Sequence, residues 1–139
     1  DVKTGDTVWQ AKKKAKDIVI VNPHFDEYIK YSKLARKIYG RFTDLVEPYG
    51  MDECWLDITG TEKILGTPEE IADKIRQTIK YELGLTVSIG VSFNKIFSKL
   101  GSDMKKPDAV TVITRENFKE KIWALPASDL LFVGKRTLE

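Results

Sequence analysis

The clearest pattern of apolar and polar positions lies between residues 67 and 84. Four apolar residues recur there at helical spacing: Ile71, Ile75, Ile79 and Leu83. The segment Thr67-Pro68-Glu69-Glu70 combines a threonine cap, a proline at the first helical position and acids in the first turn. Because Gly84 is a stop signal, the pattern predicts one helix between Thr67 and Gly84.

Similar patterns predict four more helices. They are a short helix from Asp6 or Thr7 to about Lys16, a helix from His24 to about Tyr39, and helices at 94–102 and 116–124. In the second of these, one face at helical spacing consists of Phe25, Tyr28, Ser32, Ala35 and Tyr39. Gly40 follows as its stop signal.

Alternation with a period of two predicts a strand at 87–93, where four large apolar residues alternate with Ser88, Gly90 and Ser92. The small face would allow the close approach of a helix, a backbone or a ligand. Further strands are predicted at 18–21, 45–49, 54–58 and 109–113. Pro48 removes a backbone donor, so strand 45–49 is expected at a sheet edge.

The segment Gly50-Met51-Asp52-Glu53 forms an acidic bend between two of these strands. Neighbouring side chains on a straight strand point to opposite faces, but at the tip of a hairpin both acids can turn toward one point. Two carboxylates held together need a cation or a proton between them. Such oxygen ligands suit Mg²⁺, which takes one or two protein carboxylates plus waters and phosphates. The alternative is two solvated acids at an exposed turn.

Composition indicates one folded, soluble domain. The 139 residues suffice for one core, and 42% hydrophobic with 32% charged residues is not typical of a disordered chain. The single cysteine, Cys54, excludes an internal disulfide, and the single histidine, His24, disfavours a zinc site or a Ser-His-Asp triad. No stretch approaches about 18 apolar residues, so we expect a cytoplasmic protein without a membrane partner.

The net charge is only +2, but lysines cluster at 12–16 and at 95–106. Local basic patches can bind phosphate whatever the total charge. The alternative is two solvated helix faces.

After residue 23 the predicted order is α-β-β-α-β, followed by one more helix and strand. A ferredoxin-like β-α-β-β-α-β unit has one further strand in front. That strand would be central, beside the strand that follows the acidic bend, and Ile18 to Val21 is a short candidate for the place. We therefore expect an α+β sandwich whose helices pack on one face of a mainly antiparallel sheet that lacks its first strand.

Three segments stand out by their order and spacing. They are Tyr49-Gly50-Met51-Asp52-Glu53-Cys54-Trp55-Leu56-Asp57, the run from Val87 through Asn94-Lys95 to Ser102-Asp103-Met104-Lys105-Lys106-Pro107, and the run from Leu125-Pro126 to Val133-Gly134. Together they resemble the Y-family translesion DNA polymerases of the DinB/UmuC type, and the second segment is the most specific. The resemblance covers nearly the whole chain.

The resemblance implies DNA synthesis past damaged bases by two-metal nucleotidyl transfer to a primer 3′-hydroxyl. Primer-template DNA and a deoxynucleoside triphosphate would be the partners, and a sliding clamp is left open as a further one. Asp52 and Glu53 would bind Mg²⁺, two ions in the intact enzyme, with Glu53 as the catalytic carboxylate near the primer. Lys106 would reach the triphosphate. The residues implied to contact the DNA backbone are Asn94, Lys95, Gly134 and Lys135; Asn94 and Lys95 would also shape their turn.

The sequence departs from the family at its start. The opening strand of the family carries a further metal-binding aspartate and an aromatic residue that excludes ribonucleotides, and no residue here matches either. Gly50 stands where the usual residue is serine. We therefore expect a fragment that is inactive alone, in which residues 1–22 end the fingers, 23–124 form the palm and 125–139 begin the thumb.

Two other functions remain open at this point. A nucleotidyl cyclase of the GGDEF type also places acids on a hairpin of a related palm, and Gly50-Met51-Asp52-Glu53-Cys54 superficially resembles its signature. The downstream segments Asn94-Lys95 and Asp103 to Pro107 argue against this alternative. A palm remnant that binds DNA without catalysis is the other.

Overall fold

Helices and short strands alternate along the chain, which confirms the predicted α+β class. The computed structural model describes the backbone of residues 1–139 and every side chain except that of Lys135. The helices are α1 (Val8–Lys14), α2 (Phe25–Tyr39), α3 (Glu62–Leu65), α4 (Pro68–Leu83), α5 (Lys95–Met104) and α6 (Phe118–Ile122). The strands are β1 (Val46–Tyr49), β2 (Glu53–Leu56), β3 (Ile89–Ser92) and β4 (Val110–Ile113). Two single 3₁₀ turns follow at Ala127–Asp129 and Lys135–Thr137.

Helix α4 forms as its sequence predicts and supplies most of the main core. Thr67 and Glu70 make a reciprocal capping box at its start, and Gly84 ends it in the left-handed region at φ 67°. The apolar stripe of α4 is buried against Ile38 of α2. Burial of each isoleucine side chain contributes about 1.5–3 kcal/mol, so this contact holds α2 and α4 together. In the part of the chain described, no helix is long and apolar enough to cross a membrane.

The four strands form two separate pairs. Strands β1 and β2 are antiparallel, with Val46 opposite Leu56 and Tyr49 opposite Glu53, and β1 lies at the edge expected from Pro48. Strands β3 and β4 are parallel, because α5 connects them as a crossover. No ladder joins β2 to β3 among the described residues. Only one of the two strand pairs is therefore antiparallel, whereas a mainly antiparallel sheet was predicted. The break between the pairs lies beside β2, where the missing strand was predicted.

On the N-terminal side, one prediction is wrong and another is correct only in part. Ile18 to Val21 is not a strand: it pairs with no strand of the structure, and Val19 is 82% exposed. A β-branched run forms a strand only where an edge is available to receive its hydrogen bonds. The predicted apolar face of α2 is also only half right, because Phe25 and Tyr28 are exposed while Ala35 and Tyr39 pack on the core.

Gly90 brings β3 and α5 into close contact, as the small face of this strand predicted. A Cβ atom at residue 90 would lie 1.8 Å from the carbonyl oxygen of Ser98 and 2.6 Å from the backbone nitrogen of Ser102. The facing helix residue is Gly101, which is buried. The backbones of β3 and α5 therefore touch, and this contact fixes the position of α5.

Replacement of Gly90 by alanine should lower the free energy of unfolding by about 3 kcal/mol, because the new methyl group meets backbone atoms that cannot move away cheaply. Gly40→Ala is the matched control, since Gly40 has ordinary helical angles and a Cβ there would have its nearest neighbours at 3.6 Å. We expect this control to change stability by less than about 1 kcal/mol. Urea unfolding of both variants measures the difference, and equal stability would contradict the close contact.

Candidate active site at the β1–β2 turn

The acidic bend is the turn that connects β1 to β2. Gly50 adopts φ 72°, which glycine tolerates without steric cost, and the turn continues through Met51 and Asp52. Glu53 is the first residue of β2 and pairs with Tyr49. Asp52 is exposed and Glu53 is half-buried, and both side chains line one cavity. Asp52 and Glu53 therefore both border the same cavity.

Helix α2 fixes this turn through two side chains that lie one helical turn apart. The hydroxyl of Ser32 donates a hydrogen bond to the carbonyl oxygen of Met51. The guanidinium of Arg36 donates to the carbonyl oxygen of Gly50 at 2.8 Å. These bonds satisfy two turn carbonyls and fix the hairpin to the core. This role of Ser32 and Arg36 was not predicted: the two polar residues are spaced i and i+4 in the sequence, but the helical pattern assigned Ser32 to an apolar face.

The cavity lies between the two strand pairs, and we call it the inter-sheet cavity. Its volume is about 440 Å³, and its walls include residues of β2, β3 and α5. Ile71 and Ile75 of α4 contribute apolar lining. Its charged lining groups include Asp52, Glu53, Lys99 and Lys106. The structure thus brings together the two carboxylates and the lysine that the sequence selected.

Two lysines balance the acids of the cavity. Lys99 donates to Glu53 Oε1 at 2.7 Å and to Asp103 Oδ2 at 2.7 Å. Lys106 Nζ lies 2.7 Å from Asp103 Oδ1. Burial alone would raise the pKa of Asp103, but the hydrogen bonds from Lys106 and Lys99 outweigh it and hold that pKa below its ordinary value.

Tyr39 is the neutral polar group beside the acidic bend. Burial, with smaller contributions from Cys54 and Asp52, raises the pKa of Tyr39 to about 12. Its phenol lines the inter-sheet cavity and stays protonated at neutral pH. Tyr39 therefore adds no negative charge to the pair of carboxylates.

The loop that carries Lys106 is anchored to α4. It contains a cis peptide bond between Lys106 and Pro107, and Asp108 lies in the left-handed region at φ 57°. The Asp108 carboxylate accepts hydrogen bonds from Arg76 at 2.7 Å and from Lys80 at 2.5 Å. These bonds hold the pKa of Asp108 below its ordinary value. Nothing in the sequence pattern singled out this anchor.

The donor set of the cavity fits a divalent cation with few protein ligands. Among the described side chains, no three histidines, cysteines or acids gather at one point. Three carboxylates line the cavity: Asp52, Glu53, which is paired with the ammonium group of Lys99, and Asp108, which is already paired with Arg76 and Lys80. Mg²⁺ suits such a site, because it usually takes one or two carboxylates and completes its shell with waters and phosphates.

The four residues implied to contact DNA have different surroundings. Asn94 caps α5, with its side-chain oxygen accepting from the Phe97 N–H at 2.8 Å, so its role in the turn is observed. Lys95 is exposed, paired with Glu47, and lies over the ring of Trp55. Gly134 is exposed, with no atom within 4 Å of a Cβ placed there. The side chain of Lys135 lies outside the described residues.

Loss of the Asp108 carboxylate should reduce stability in a pH-dependent way. The lowered native pKa means that the ion pairs stabilise the fold fully above the unfolded value of about 3.9 and are lost as pH falls through the native pKa. Asp108→Asn should therefore destabilise the chain at pH 7, and the difference from wild type should shrink below about pH 4. Asp44→Asn, at an exposed acid without an ion pair among the described residues, is the control. Denaturant unfolding at pH 7 and pH 3 would refute the anchor if the difference did not change.

Comparisons with known proteins agree with this geometry. Residues 1–103 match the impB/mucB/samB family model. DNA polymerase IV of Acetivibrio thermocellus is 58% identical over 98% of this chain, and DNA polymerase IV of Clostridium acetobutylicum is 38% identical over 95% of it. The chain spans about a third of the length of these relatives, 34% and 33%.

Solved structures give the same result. DinB from Sulfolobus solfataricus superposes with a TM-score of 0.86 at 28% identity, over 97% of this chain and 40% of the other. An insertion ternary complex of Dbh DNA polymerase superposes with a TM-score of 0.85 at 28% identity, also over 97% and 40%. The chain therefore belongs to the impB/mucB/samB family, that is, to the DinB/UmuC-like Y-family DNA polymerases.

Proposed function

We propose that this chain is the catalytic palm of a DNA polymerase that extends a primer 3′-hydroxyl and copies past damaged bases. The observation that carries the proposal is that Asp52, Glu53 and Lys106 all line the inter-sheet cavity. Two carboxylates that can bind divalent cations and an ammonium group that can bind phosphate suit a reaction between a hydroxyl and a nucleoside triphosphate. Membership of the family supports the polymerase over the cyclase alternative.

In this proposal Asp52 and Glu53 hold the divalent cations, with Mg²⁺ as the expected ion, and Glu53 lies nearest the primer end. Bound there, two such ions would stabilise charge on the attacking and leaving oxygens of the in-line displacement. Lys106 binds the triphosphate as a point charge on a flexible stem. Its exposed position, with 58% of the side chain accessible, leaves it free to turn from Asp103 toward a phosphate.

The contacts with DNA are proposed to be blind to sequence. Lys95 and the backbone near Gly134 would bind phosphates, and Asn94 would position Lys95 by capping α5, with Lys135 as a further phosphate contact. Such contacts fix the register of a duplex without reading its bases, which suits a template with altered bases. Residues 1–22 would then belong to the fingers, 23–124 to the palm and 125–139 to the thumb.

We also propose that the 139 residues alone do not catalyse extension. The inter-sheet cavity separates β2 from β3, so the described part of the chain lacks a strand between them. The carboxylate pair has no third acidic ligand among the described residues. The substrates would be primer-template DNA and a deoxynucleoside triphosphate, in a cytoplasmic repair role. A sliding clamp is a further partner to be tested with the longer protein.

Primer extension with deoxynucleoside triphosphates and Mg²⁺ tests both statements. The longer protein that contains this chain as its palm should extend a primer, and Asp52→Asn or Glu53→Gln should each lower its kcat by about a hundredfold or more, since each removes charge stabilisation from the transition state. Asp44→Asn in the same protein is the control and should keep normal activity.

Three results would contradict the proposal in different ways. Extension by the 139 residues alone would show that nothing essential is missing from them. Normal extension by both acid variants would remove the assigned site. Formation of a cyclic dinucleotide from GTP would replace the polymerase with a cyclase.

A further inference from the structure

A line of alternating charges connects Glu53 with Lys106. Lys99 Nζ lies 2.7 Å from Glu53 Oε1 and 2.7 Å from Asp103 Oδ2. The other oxygen of Asp103 lies 2.7 Å from Lys106 Nζ. The group assigned to cation binding and the group assigned to triphosphate binding therefore stand at the two ends of one chain of ion pairs.

Lys99 is the most enclosed member of this chain of ion pairs. Its side chain is 18% exposed, against 37% for Glu53 and 44% for Asp103. It lies on α5, whose position is fixed by the backbone contact at Gly90. Burial acts to lower the pKa of Lys99, but hydrogen bonds to Asp103 and Glu53 outweigh it and raise that pKa. Lys99 is therefore a fixed cation with two carboxylate partners.

We propose that Lys99 is a positioning residue whose ammonium pairs with the Glu53 carboxylate while no divalent cation is bound. Asp103 then determines the strength of the Lys99–Glu53 pair. The inference rests on the proposed function, since it assigns Glu53 to a cation. With Lys99 as its partner, the Glu53 carboxylate stays directed into the inter-sheet cavity instead of into solvent. When Glu53 turns to a cation, Lys99 keeps Asp103, so its enclosed ammonium is not left without a partner.

The same arrangement links the two ends of the site. Asp103 is shared between Lys99 and Lys106, so each lysine weakens the hold of Asp103 on the other. Once Lys99 has lost Glu53 and relies on Asp103, Lys106 is held less firmly and its ammonium becomes available to a phosphate. Cation binding at the carboxylates and release of Lys106 from Asp103 are then coupled, because both follow when Lys99 loses its bond to Glu53 and keeps its bond to Asp103.

The first test measures the affinity of this chain for Mn²⁺ alone, by electron paramagnetic resonance of the free ion. Lys99→Met should bind Mn²⁺ about fivefold tighter than wild type, because the Lys99 ammonium no longer competes with the cation for the Glu53 carboxylate. Lys99→Arg should restore affinity close to wild type. Lys105→Met is the matched control: Lys105 is exposed, has no ion pair among the described side chains, and should change the affinity by less than about twofold.

A double-mutant cycle separates this chain of ion pairs from a general charge effect. Asp103→Asn should weaken Mn²⁺ binding about threefold in the wild-type background, because Lys99 then holds Glu53 alone. In the Lys99→Met background the same change should have less than half that effect, since Asp103 acts through Lys99. Charges that act only through space would give equal effects in both backgrounds.

Circular dichroism of each variant checks the fold, and Lys99→Gln replaces Lys99→Met in the cycle if the methionine variant unfolds. Tighter binding by the Lys99 variant together with non-additivity at Asp103 supports the inference. Affinity equal to that of Lys105→Met, weaker binding, or additive effects overturns it while the proposed function stands. Absence of Mn²⁺ binding by wild type overturns the cation site itself, and the inference with it.

Discussion

Electrostatic repulsion between two neighbouring carboxylates is the constraint around which this site is organised. A hairpin turn that carries Asp52 and Glu53 would spread them apart if it were free to relax. Here Arg36 and Ser32 hold the carbonyls of the turn, and the ammonium of Lys99 lies against Glu53. The turn geometry and the balancing charge come from two different helices, α2 and α5. The orientation of both helices against the strands therefore determines the position of the turn and of the Glu53 carboxylate.

The packing of the fold fixes that orientation at a few positions. The contact of Ile38 with α4 holds α2 in place, and the contact at Gly90 does the same for α5. The loop of Lys106 is fixed separately, through the bonds of Asp108 to α4. Helix α4 thus supports both ends of the site, one through the core and one through ion pairs. The inter-sheet cavity stays open because β2 and β3 do not pair.

Local chemistry made much of this predictable from the sequence. The capping residues of α4, the stop at Gly84 and the acidic bend were all assigned from short patterns, because each is decided by neighbours along the chain. The turn at Gly50, which places Asp52 and Glu53 at the end of the hairpin, is also a local feature. Likewise, the small face of β3 predicted the close approach that the structure shows at Gly90.

What the sequence could not predict depends on contacts between distant segments. Ile18 to Val21 has the composition of a strand but has no partner, and pairing is decided by tertiary structure. In the sequence, Arg36 and Asp108 look like ordinary surface charges. The partner of Arg36 is 14 residues away, and the partners of Asp108 are 28 and 32 residues away. The pairing of Lys99 with both Glu53 and Asp103 could not be predicted for the same reason, because Glu53 lies 46 residues from Lys99 in the sequence.

Paramagnetic broadening of backbone amide signals by Mn²⁺ measures directly where a divalent ion binds to this chain. In a ¹H–¹⁵N spectrum of the chain, substoichiometric Mn²⁺ should first broaden the amides of Asp52 and Glu53 and those of the facing residues of β3 around Gly90. Broadening centred on another acidic surface, such as Glu69 and Glu70 at the start of α4, would contradict the proposed cation site, as would an unaffected turn.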